Sequence, residues 1–528
     1  MNEQSASLSR RSFLGFAAVG AAAAGMTLQG CSPDRKSRDA AQEIDSPRVP
    51  SNVTETIDAD VVVIGMGMSG LAAVVQAALN GDKVVGVEAT SVTGGNGIGV
   101  EGIFAVGTDM QKAAGIEVTP VEIIQTELSS SQMLSDGTLW KNLISASADN
   151  VSWLIEQGVE FSGTVDNYLG SGIVSCFHWF KGNVASAGYI PQMTARAQQL
   201  GVDMRMSTRA HSLIVEEGRI AGVYVQDESD KDIQINAKAV ILATGGYAQN
   251  QQYMEERGWN WDNIVYGGTP NHNGEGLKMA FEAGARSFIR NSTFNCTNIC
   301  GTGSTFAWKA DNFTSLFCGA GMFGMGGNQM WVNQDAERFV PENFAATNFE
   351  MQSVPAMTQR AMYSVFDRSI LEATLAAASD TETLSKVDAA TEVDLAVADT
   401  LADAAEKIGL NVDVLTQSVK RYNDLCAGGR DEDFGKPAEL MVPIEQGPFY
   451  IAKLNQYFLM SVGGIECTLN AQAVDATKNP IEGLYAVGTD GCMLYRNIYT
   501  IDVGGTCNAN NVNSGRTAAN HAHAAVTG

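Results

Sequence analysis

The chain has 528 residues, of which 45% are hydrophobic and 18% are charged, a composition that excludes a disordered or fibrous protein. Its 34 basic and 59 acidic residues give a formal net charge of -25, so nucleic acid and anionic lipid are unfavourable partners on electrostatic grounds. The length suggests about three structural units, or one nucleotide-binding architecture with an inserted domain.

The N-terminal 31 residues have the pattern of an export signal. Arg10 and Arg11 precede an apolar run rich in Ala and Gly from Gly15 to Leu28, which is too short to span a membrane. The pattern resembles a twin-arginine signal, and the residues that end at Cys31 resemble a lipoprotein cleavage box. We therefore expect export to the cell surface or periplasmic side, a lipid on Cys31 as the only membrane attachment, and a tether over residues 32–57. A chance cysteine after an ordinary cleavage site is the alternative.

A nucleotide-binding pattern follows the tether. Residues 60–64 predict a buried strand, residues 71–79 an Ala-rich helix and residues 83–87 a second strand. Between the first strand and the helix, four residues are expected to form a tight turn that holds a pyrophosphate at the helix N-terminus, namely Gly65, Gly67, Ser69 and Gly70. Glu88 ends the second strand, where an acidic side chain binds the adenosine ribose hydroxyls.

Three further segments decide which dinucleotide is expected. Residues 93–97, 239–246 and 483–490 resemble, in this order, the second glycine loop, the Ala-Thr-Gly turn and the closing strand of the fumarate reductase and succinate dehydrogenase flavoproteins. The resemblance implies FAD. It also implies the remaining cofactor-binding residues, which are Gly94, Gly95, Asn96, Gly97, Gly102, Ala210, Thr244, Gly245, Glu275, Thr489, Asp490, Gly504, Gly505, Cys507 and Asn508.

The same resemblance implies the architecture and the mode of FAD attachment. We expect an α/β fold in which residues 58–289 and 456–528 form a Rossmann-like FAD-binding domain, and residues 290–455 form an inserted α+β cap domain for the substrate. Within the cap, residues 384–425 show the apolar spacing of surface helices. Succinate dehydrogenases bind FAD covalently through a histidine in the second glycine loop. Because Asn96 stands at that place, we expect noncovalent FAD.

The cysteines and histidines do not predict a metal site. The nine cysteines form no C-x-x-C pair and no C-x-x-C-H motif, and the five histidines are dispersed along the chain. We therefore expect no bound metal and no haem attached to this chain.

Arg338 is the first candidate catalytic residue. The stretch Trp331–Glu342 resembles the family segment with an arginine that protonates a substrate carbon while flavin N5 delivers hydride. An arginine is a very weak acid, because its pKa lies above about 12. The alternative is that Arg338 forms a structural ion pair with Glu337 or Glu342.

The rest of the family's fumarate site is absent from the sequence. Leu459–Gly464 replaces a His-Thr-Met-Gly-Gly motif, and Asp502 occupies the segment where the family has an arginine that clamps a substrate carboxylate. A C4 dicarboxylate is therefore a poor candidate substrate. Ketosteroid dehydrogenases, which share the FAD fold, use tyrosines near the same glycines, and Tyr499 and Tyr495 resemble these. The alternative is that both tyrosines pack in the core.

These observations lead to one main functional hypothesis. The chain is expected to be an exported FAD-dependent reductase of a carbonyl-activated C=C bond in anaerobic respiration. Its electrons would come from a separate donor such as a membrane-linked cytochrome. A ketosteroid-type dehydrogenase that works in the opposite direction is one alternative, and a flavin electron shuttle without chemistry at the cap is a second.

Overall fold

The computed structural model describes residues 50–168, 170, 172–291, 293–295, 298–300, 327–344, 351, 353–378, 394–496, 499–500 and 502–527. The predicted export signal, Cys31 and most of the predicted tether lie outside these described residues.

The described strands are, in chain order, β1 (Val53–Ile64), β2 (Val84–Val87), β3 (Gly102–Phe104), β4 (Phe161–Asp166), β5 (Phe177–Phe180), β6 (Asp203–Arg205), β7 (Arg209–Glu216), β8 (Arg219–Gln226), β9 (Asp232–Leu242), β10 (Ile264–Tyr266), β11 (Thr293–Asn295), β12 (Asn298–Cys300), β13 (Met330–Asn333), β14 (Met362–Asp367), β15 (Leu395–Ala398), β16 (Phe449–Lys453), β17 (Asn455–Phe458), β18 (Met460–Val462), β19 (Gln472–Val474) and β20 (Pro480–Ala486).

The described α-helices are, in chain order, α1 (Met68–Asn80), α2 (Asp109–Ala113), α3 (Pro120–Ser130), α4 (Gly137–Glu156), α5 (Ala185–Gly188), α6 (Ile190–Gln199), α7 (Gln251–Arg257), α8 (Glu275–Glu282), α9 (Arg368–Ala378), α10 (Leu401–Ile408), α11 (Val412–Gly428) and α12 (Thr506–Thr527).

A mostly parallel sheet forms the centre of the nucleotide-binding unit. Its strand order is β19-β20-β9-β1-β2-β6, and the antiparallel strands β8 and β7 continue from β9. Strands β20, β9, β1, β2 and β6 all run parallel. The ends of β1 and β9, residues 61–64 and 239–242, are buried, which explains their continuous apolar sequences. The predicted α/β fold class is confirmed.

Strand β1 is longer than the sequence predicted. It begins at Val53, inside the expected tether of residues 32–57, and Val53 pairs with Asp232 at the start of β9. These first residues of β1 are mostly exposed, so they carry no apolar signal, and their extended form comes from hydrogen bonding to the distant strand β9.

Two long helices pack beside each other in the same unit. Residues 68–77 of α1 are all buried, and most of them are small or aliphatic. A Cβ atom on Gly515 of α12 would press on the backbone of Ser69 in α1, so this glycine allows the two helices to approach closely. The contact holds the N-terminal half of α12 against the start of α1.

The chain divides into two compact units. One comprises the described residues of Gly30–Arg257, Gly268–Asn295 and Leu459–Gly528, and the other those of Gly258–Gly267 and Cys296–Phe458. The sequence assigned residues 258–267 and 456–458 to the FAD-binding domain, but both belong with the second unit, because β10 pairs with β17 and β17 pairs with β12 there. These pairings join segments far apart in sequence and left no local signal.

The second unit, which corresponds to the predicted cap, contains an antiparallel sheet of order β13-β14-β16-β15. Residues of this sheet and of α10 and α11 form one apolar core, in which Phe366, Leu415 and Tyr450 are fully buried. Within the predicted helical region of residues 384–425, α10 and α11 are present, whereas Leu395–Ala398 forms a strand because it pairs with β16. Residues 384–393 lie outside the described chain.

Candidate functional site

The first glycine loop forms a tight turn between β1 and α1. Gly65 has φ +95°, and a Cβ atom on Gly65 would collide with the carbonyl group of Ala243. A Cβ on Gly70 would collide with the carbonyl oxygen of Gly65. Helix α1 begins after Gly67, whose lack of a side chain leaves the first helical amides uncapped. The loop therefore presents backbone N–H groups that are suited to an anion.

The second glycine loop is joined directly to the first. Gly94 N donates to Met66 O at 2.9 Å. Glu88 Oε2 accepts from Met66 N at 2.8 Å, and Oε1 accepts from Thr90 N at 2.9 Å. Glu88 Oε1 also accepts from Thr90 Oγ1 at 2.9 Å. A carboxylate has about four acceptor positions, so Glu88 keeps capacity for one further donor, such as a ribose hydroxyl. The three predicted pieces, two loops and one acid, thus form one cradle.

Two glycines, in and just after the second loop, face open space. A Cβ on Gly95 would come no nearer to a described atom than 4.0 Å, and a Cβ on Gly99 would meet no described atom within 4 Å. Nearby, Asn511 Oδ1 is buried and has no hydrogen-bond partner among the described residues, while Asn511 Nδ2 lies 3.9 Å from Met68 Sδ. The open glycine face and this unpaired acceptor fit a polar ligand such as FAD.

Asn96 is engaged with protein atoms on both sides of its amide. Its Nδ2 donates to Leu459 O at 2.8 Å, and its Oδ1 accepts from Thr269 N at 2.6 Å and from Thr269 Oγ1 at 2.9 Å. An amide in this arrangement is not a nucleophile, so Asn96 ties the loop to neighbouring segments. This geometry agrees with the expectation of noncovalent FAD.

Asp490 supports the Ala-Thr-Gly turn. It is fully buried, and its carboxylate accepts from Thr244 N at 2.6 Å, Thr244 Oγ1 at 2.9 Å and Gly246 N at 2.7 Å. Burial raises the pKa of Asp490, whereas these hydrogen bonds act in the opposite direction. Asp490 therefore joins the turn after β9, which contains Gly245, to the segment that follows β20, where Thr489 is also buried.

Glu275 and Ala210 lie at the edge of the same unit. Glu275 begins α8, and both of its carboxylate oxygens accept from Nη1 of Arg209, at 2.7 and 2.6 Å. Ala210 follows Arg209 in β7 and is buried. The ion pair occupies much of the hydrogen-bonding capacity of Glu275, so this side chain positions α8 against β7.

The start of α12 lies against β3. Gly505, with φ +80°, accepts from Phe104 N through its carbonyl oxygen at 3.1 Å, and Asn508 Nδ2 donates to Gly102 O at 2.8 Å. A Cβ on Gly505 would lie 2.7 Å from Phe104 N, so only glycine permits this approach. The structure thus brings together four predicted residues from distant parts of the chain, Gly102, Gly504, Gly505 and Asn508. Burial raises the pKa of the neighbouring Cys507 thiol.

Tyr495 and Tyr499 pack in the core of the nucleotide-binding unit. Their rings meet edge to face with centroids 4.6 Å apart, and Tyr495 also contacts Trp140. The Tyr495 hydroxyl lies 2.7 Å from Thr506 Oγ1, and Tyr499 shares a hydrogen bond with the backbone of Cys507. Burial raises the pKa of both phenols well above their ordinary value. These contacts favour the packing alternative over a catalytic role.

Arg338 is held by two carboxylates in the cap. Its Nε and Nη2 donate to Glu342 at 2.8 and 2.9 Å, and its Nη1 and Nη2 donate to Asp431 at 3.0 and 2.7 Å. The guanidinium also lies over the rings of Tyr422 and Phe434. Burial acts to lower the pKa of Arg338, but the hydrogen bonds to the two carboxylates raise it above its ordinary value. This geometry favours the ion-pair alternative, with Glu342 rather than Glu337 as partner.

The sequence reasoning missed one pair in the nucleotide-binding unit. Tyr168 Oη donates to Glu101 Oε2 at 3.1 Å. Glu101 stands directly before Gly102, which was predicted, and is a single acid in the apolar glycine-rich segment of residues 97–104. An isolated acid in such a segment was the available signal, whereas nothing local marked Tyr168.

The described part of the chain contains neither a cluster of metal-binding side chains nor a helix suited to cross a membrane. No group of three or more His, Cys, Asp or Glu side chains there has the arrangement of a metal site. None of the helices in the described ranges combines the length and apolar character that crossing a membrane requires.

Comparison with known proteins gives a consistent result. Residues 60–501 match the family described as FAD binding domain. A vinyl phenol reductase from Lactiplantibacillus plantarum is 33% identical over 491 residues, which cover 88% of this chain and 96% of that protein. A fumarate reductase (cytochrome) from Shewanella frigidimarina is 27% identical over 433 residues, 81% of this chain and 71% of that protein. The open conformation of a flavocytochrome c3 fumarate reductase has a TM-score of 0.65 and 25% identity, covering 90% of this chain and 80% of that one.

Proposed function

Because this chain belongs to the FAD binding domain family, which it matches over residues 60–501, we propose that it reduces a carbon–carbon double bond activated by a neighbouring carbonyl group. The predicted FAD cofactor and the oxidoreductase class are confirmed by this match and by the reductases described above. The residues of the cradle fit FAD, which supplies the hydride for such a reduction once it is itself reduced.

The protein contributes binding and orientation. The amides at the start of α1 would hold the pyrophosphate, and Glu88 would accept a hydrogen bond from a ribose hydroxyl. Asn508 and Gly505 hold α12 against β3, which keeps the positive end of a long helix fixed in this unit. No side chain has to form a covalent bond to the cofactor.

The similarity to the vinyl phenol reductase carries the proposed reaction. That protein matches over almost its entire length at 33% identity, and its name describes reduction of a compound with a conjugated C=C bond. The fumarate reductase (cytochrome) is likewise named for a substrate with an activated C=C bond. The two relatives therefore support a conjugated C=C bond as the site of reaction, conjugated with carboxyl groups in fumarate and with the phenol ring in a vinyl phenol.

Asp502 argues against a dicarboxylate substrate. Asp502 stands in the segment where fumarate reductases resembled by this sequence have an arginine, and it is partly buried. Burial raises the pKa of Asp502, because a charged carboxylate is poorly solvated there. A substrate carboxylate beside Asp502 would add a second negative charge. An uncharged enone, or an enoate bound away from Asp502, is better suited.

A single-turnover assay tests the proposal. Purified holoenzyme is reduced with dithionite without oxygen, and the return of the visible flavin absorbance is followed after an enone, an enoate, a vinyl phenol, fumarate or NAD⁺ is added. We expect reoxidation by at least one of the first three and none by NAD⁺. The saturated analogues of the enone, the enoate, the vinyl phenol and fumarate are the matched controls. If no alkene reoxidises the flavin faster than its saturated analogue, the proposed reaction is wrong.

The cellular setting forms part of the same proposal. The twin-arginine pattern and Cys31 support an exported protein that is anchored by a lipid, and its electrons would come from a membrane-linked cytochrome during anaerobic respiration. Cys31→Ser should release the protein from the membrane fraction, and Arg10→Lys with Arg11→Lys should keep it in the cytoplasm. Efficient reduction of the purified protein by NADH would argue against a separate membrane-linked donor.

A further inference from the structure

Glu101 and Tyr168 lie at the same end of the nucleotide-binding unit as the predicted cofactor residues. Glu101 directly precedes Gly102, whose carbonyl oxygen accepts from Asn508 in α12. A Cβ on Gly504 would lie 3.0 Å from the Cβ of Tyr168, so Tyr168 packs directly on the segment before α12. The pair therefore borders two of the positions where the sequence predicted contact with FAD.

The directions of α1 and α12 locate this end relative to the glycine cradle. Asn511 of α12 contacts Met68 at the start of α1, and His523 of α12 contacts Asp82 just after the end of α1. The two helices thus run in the same direction. Because α12 begins at Thr506, its N-terminus reaches about five residues, or about 8 Å, beyond the start of α1. The pair lies beyond the cradle on that side.

The Tyr168 ring is held rigidly. It stacks on Trp179 with centroids 5.8 Å apart and contacts Phe177 at 4.8 Å. Asp166 Oδ1 accepts both from Tyr168 N at 2.9 Å and from Trp179 Nε1 at 3.0 Å. Tyr168 also has φ +57°, a conformation that is uncommon for a residue with a bulky side chain. These contacts fix the phenol in one orientation.

Glu101 has the properties of a proton reservoir. Burial raises its pKa to about 7, although the hydrogen bonds from Tyr168 and from its own backbone act in the opposite direction. Both side chains of the pair nevertheless keep part of their surface accessible. A carboxyl group in this state exchanges protons with solvent near neutral pH, which an acid must do between turnovers.

We propose that Tyr168 is the proton donor to the substrate carbon and that Glu101 restores its proton, a proposal that rests on the proposed reductase function. As hydride adds to one carbon of the double bond, the O–H bond of Tyr168 breaks and a C–H bond forms at the adjacent carbon. When Glu101 is protonated, its O–H group donates to Tyr168 Oη, the reverse of the hydrogen bond to the ionised carboxylate. The O–H bond of Glu101 breaks in the same step and restores the tyrosine hydroxyl, so no phenolate charge accumulates. Glu101 then takes one proton from water. The substrate gains one hydride and one proton, so charge and atoms balance.

The other titratable groups around the pair are occupied or belong to other contacts. Asp166, on β4, holds Tyr168 N and Trp179 Nε1. His178, on β5, hydrogen-bonds through Nε2 to Thr108 and through Nδ1 to Cys176 O, and burial lowers its pKa to about 4. Asp502 precedes the segment that packs on Tyr168, and its carbonyl oxygen accepts from Ile173 N. Tyr168 Oη donates to the carboxyl group of Glu101.

Two variants and two matched controls test the pair in the holoenzyme. Tyr168→Phe should retain FAD and its reduction by dithionite, but should slow reoxidation by the substrate by about 100-fold or more. Glu101→Gln should slow it by about tenfold or more. The wild-type rate should fall as the pH rises through about 7, because the protonated acid is needed, and this fall should be absent in Glu101→Gln. Tyr224→Phe and Glu160→Gln, in the same unit, should behave as the wild type.

A measurement independent of activity accompanies the kinetics. Infrared difference spectra of the oxidised holoenzyme should show a protonated carboxyl band that disappears as the pH is raised through about 7, and this band should be missing in Glu101→Gln. If the wild type is reoxidised by an alkene and Tyr168→Phe reacts equally fast, the pair is not the proton donor. If no alkene reoxidises the wild type, the proposed function fails, and the donor role is overturned with it.

Discussion

The variant Arg338→Met distinguishes a structural role of Arg338, which affects the stability of the cap, from a catalytic role, which affects the reaction with substrate. The side chain is 6% exposed, and those of Glu342, Asp431 and Lys436 are fully buried. Arg338 and Lys436 together balance the two carboxylates, so Arg338→Met leaves a buried cluster with one excess negative charge. Removing one member of a buried, hydrogen-bonded ion pair costs roughly 3–5 kcal/mol. We expect a loss of this size in the free energy of unfolding of the cap.

Urea unfolding followed by near-ultraviolet circular dichroism measures this loss. Arg421→Met is the matched control, because Arg421 forms the same kind of two-point contact with Asp433 in the same unit but is exposed. That control should change stability little. If the two variants are equally stable, the buried cluster does not stabilise the cap through Arg338. If folded Arg338→Met retains FAD but loses substrate-dependent reoxidation by about 100-fold or more, Arg338 acts in catalysis after all.

Three further predictions follow from the structure. Gly70→Ala should abolish FAD binding, because its Cβ would collide with the carbonyl oxygen of Gly65. The flavin absorbance per protein measures this loss. Gly428→Ala is the control and should retain FAD, because its Cβ would meet no described atom within 4 Å. Tyr499→Phe should change the rate of substrate-dependent reoxidation by less than about threefold, because its hydroxyl packs in the core. The stability of the wild type should fall as the pH drops below about 4, and less so in Asp431→Asn, measured by urea unfolding at each pH.

The loss of stability at low pH follows from the lowered pKa of Asp431 in the folded protein. Burial acts to raise the pKa of Asp431, but hydrogen bonds from Arg338 and from the backbone of Lys436 and Phe434 hold it well below its usual range. A carboxyl group with a lowered pKa stabilises the fold above its unfolded pKa. That contribution is lost as the pH falls and the group takes up a proton.

Local sequence was sufficient to predict the cradle. Gly65 adopts φ +95°, which favours glycine, and Gly70 is required by its contact with Gly65 five residues earlier. Glu88 follows a strand that is recognisable by its apolar run. These constraints act over short stretches, and they leave a fixed spacing of glycine, helix and acid. This order predicted a dinucleotide site, whereas FAD and the α/β architecture were implied by the resemblance to the fumarate reductase and succinate dehydrogenase flavoproteins.

Other features depended on residues that meet only after folding. Val53 became part of β1 through pairing with Asp232, and residues 258–267 joined the cap through pairing of β10 with β17. The hydrogen bond between Glu101 and Tyr168 joins residues 67 positions apart. No periodicity within either segment indicates such a partner.

The amino-acid sequence by itself determined that this protein has a glycine cradle for a dinucleotide, because turns and buried strands depend on neighbouring residues, and its resemblance to a flavoprotein family implied FAD. Only the tertiary structure decided what the candidate acids and bases contact. It engaged Arg338 with two carboxylates, packed Tyr499 into the core and placed Tyr168 against Glu101. The chemistry of a titratable side chain is set by burial and by partners, and both arise when distant segments come together.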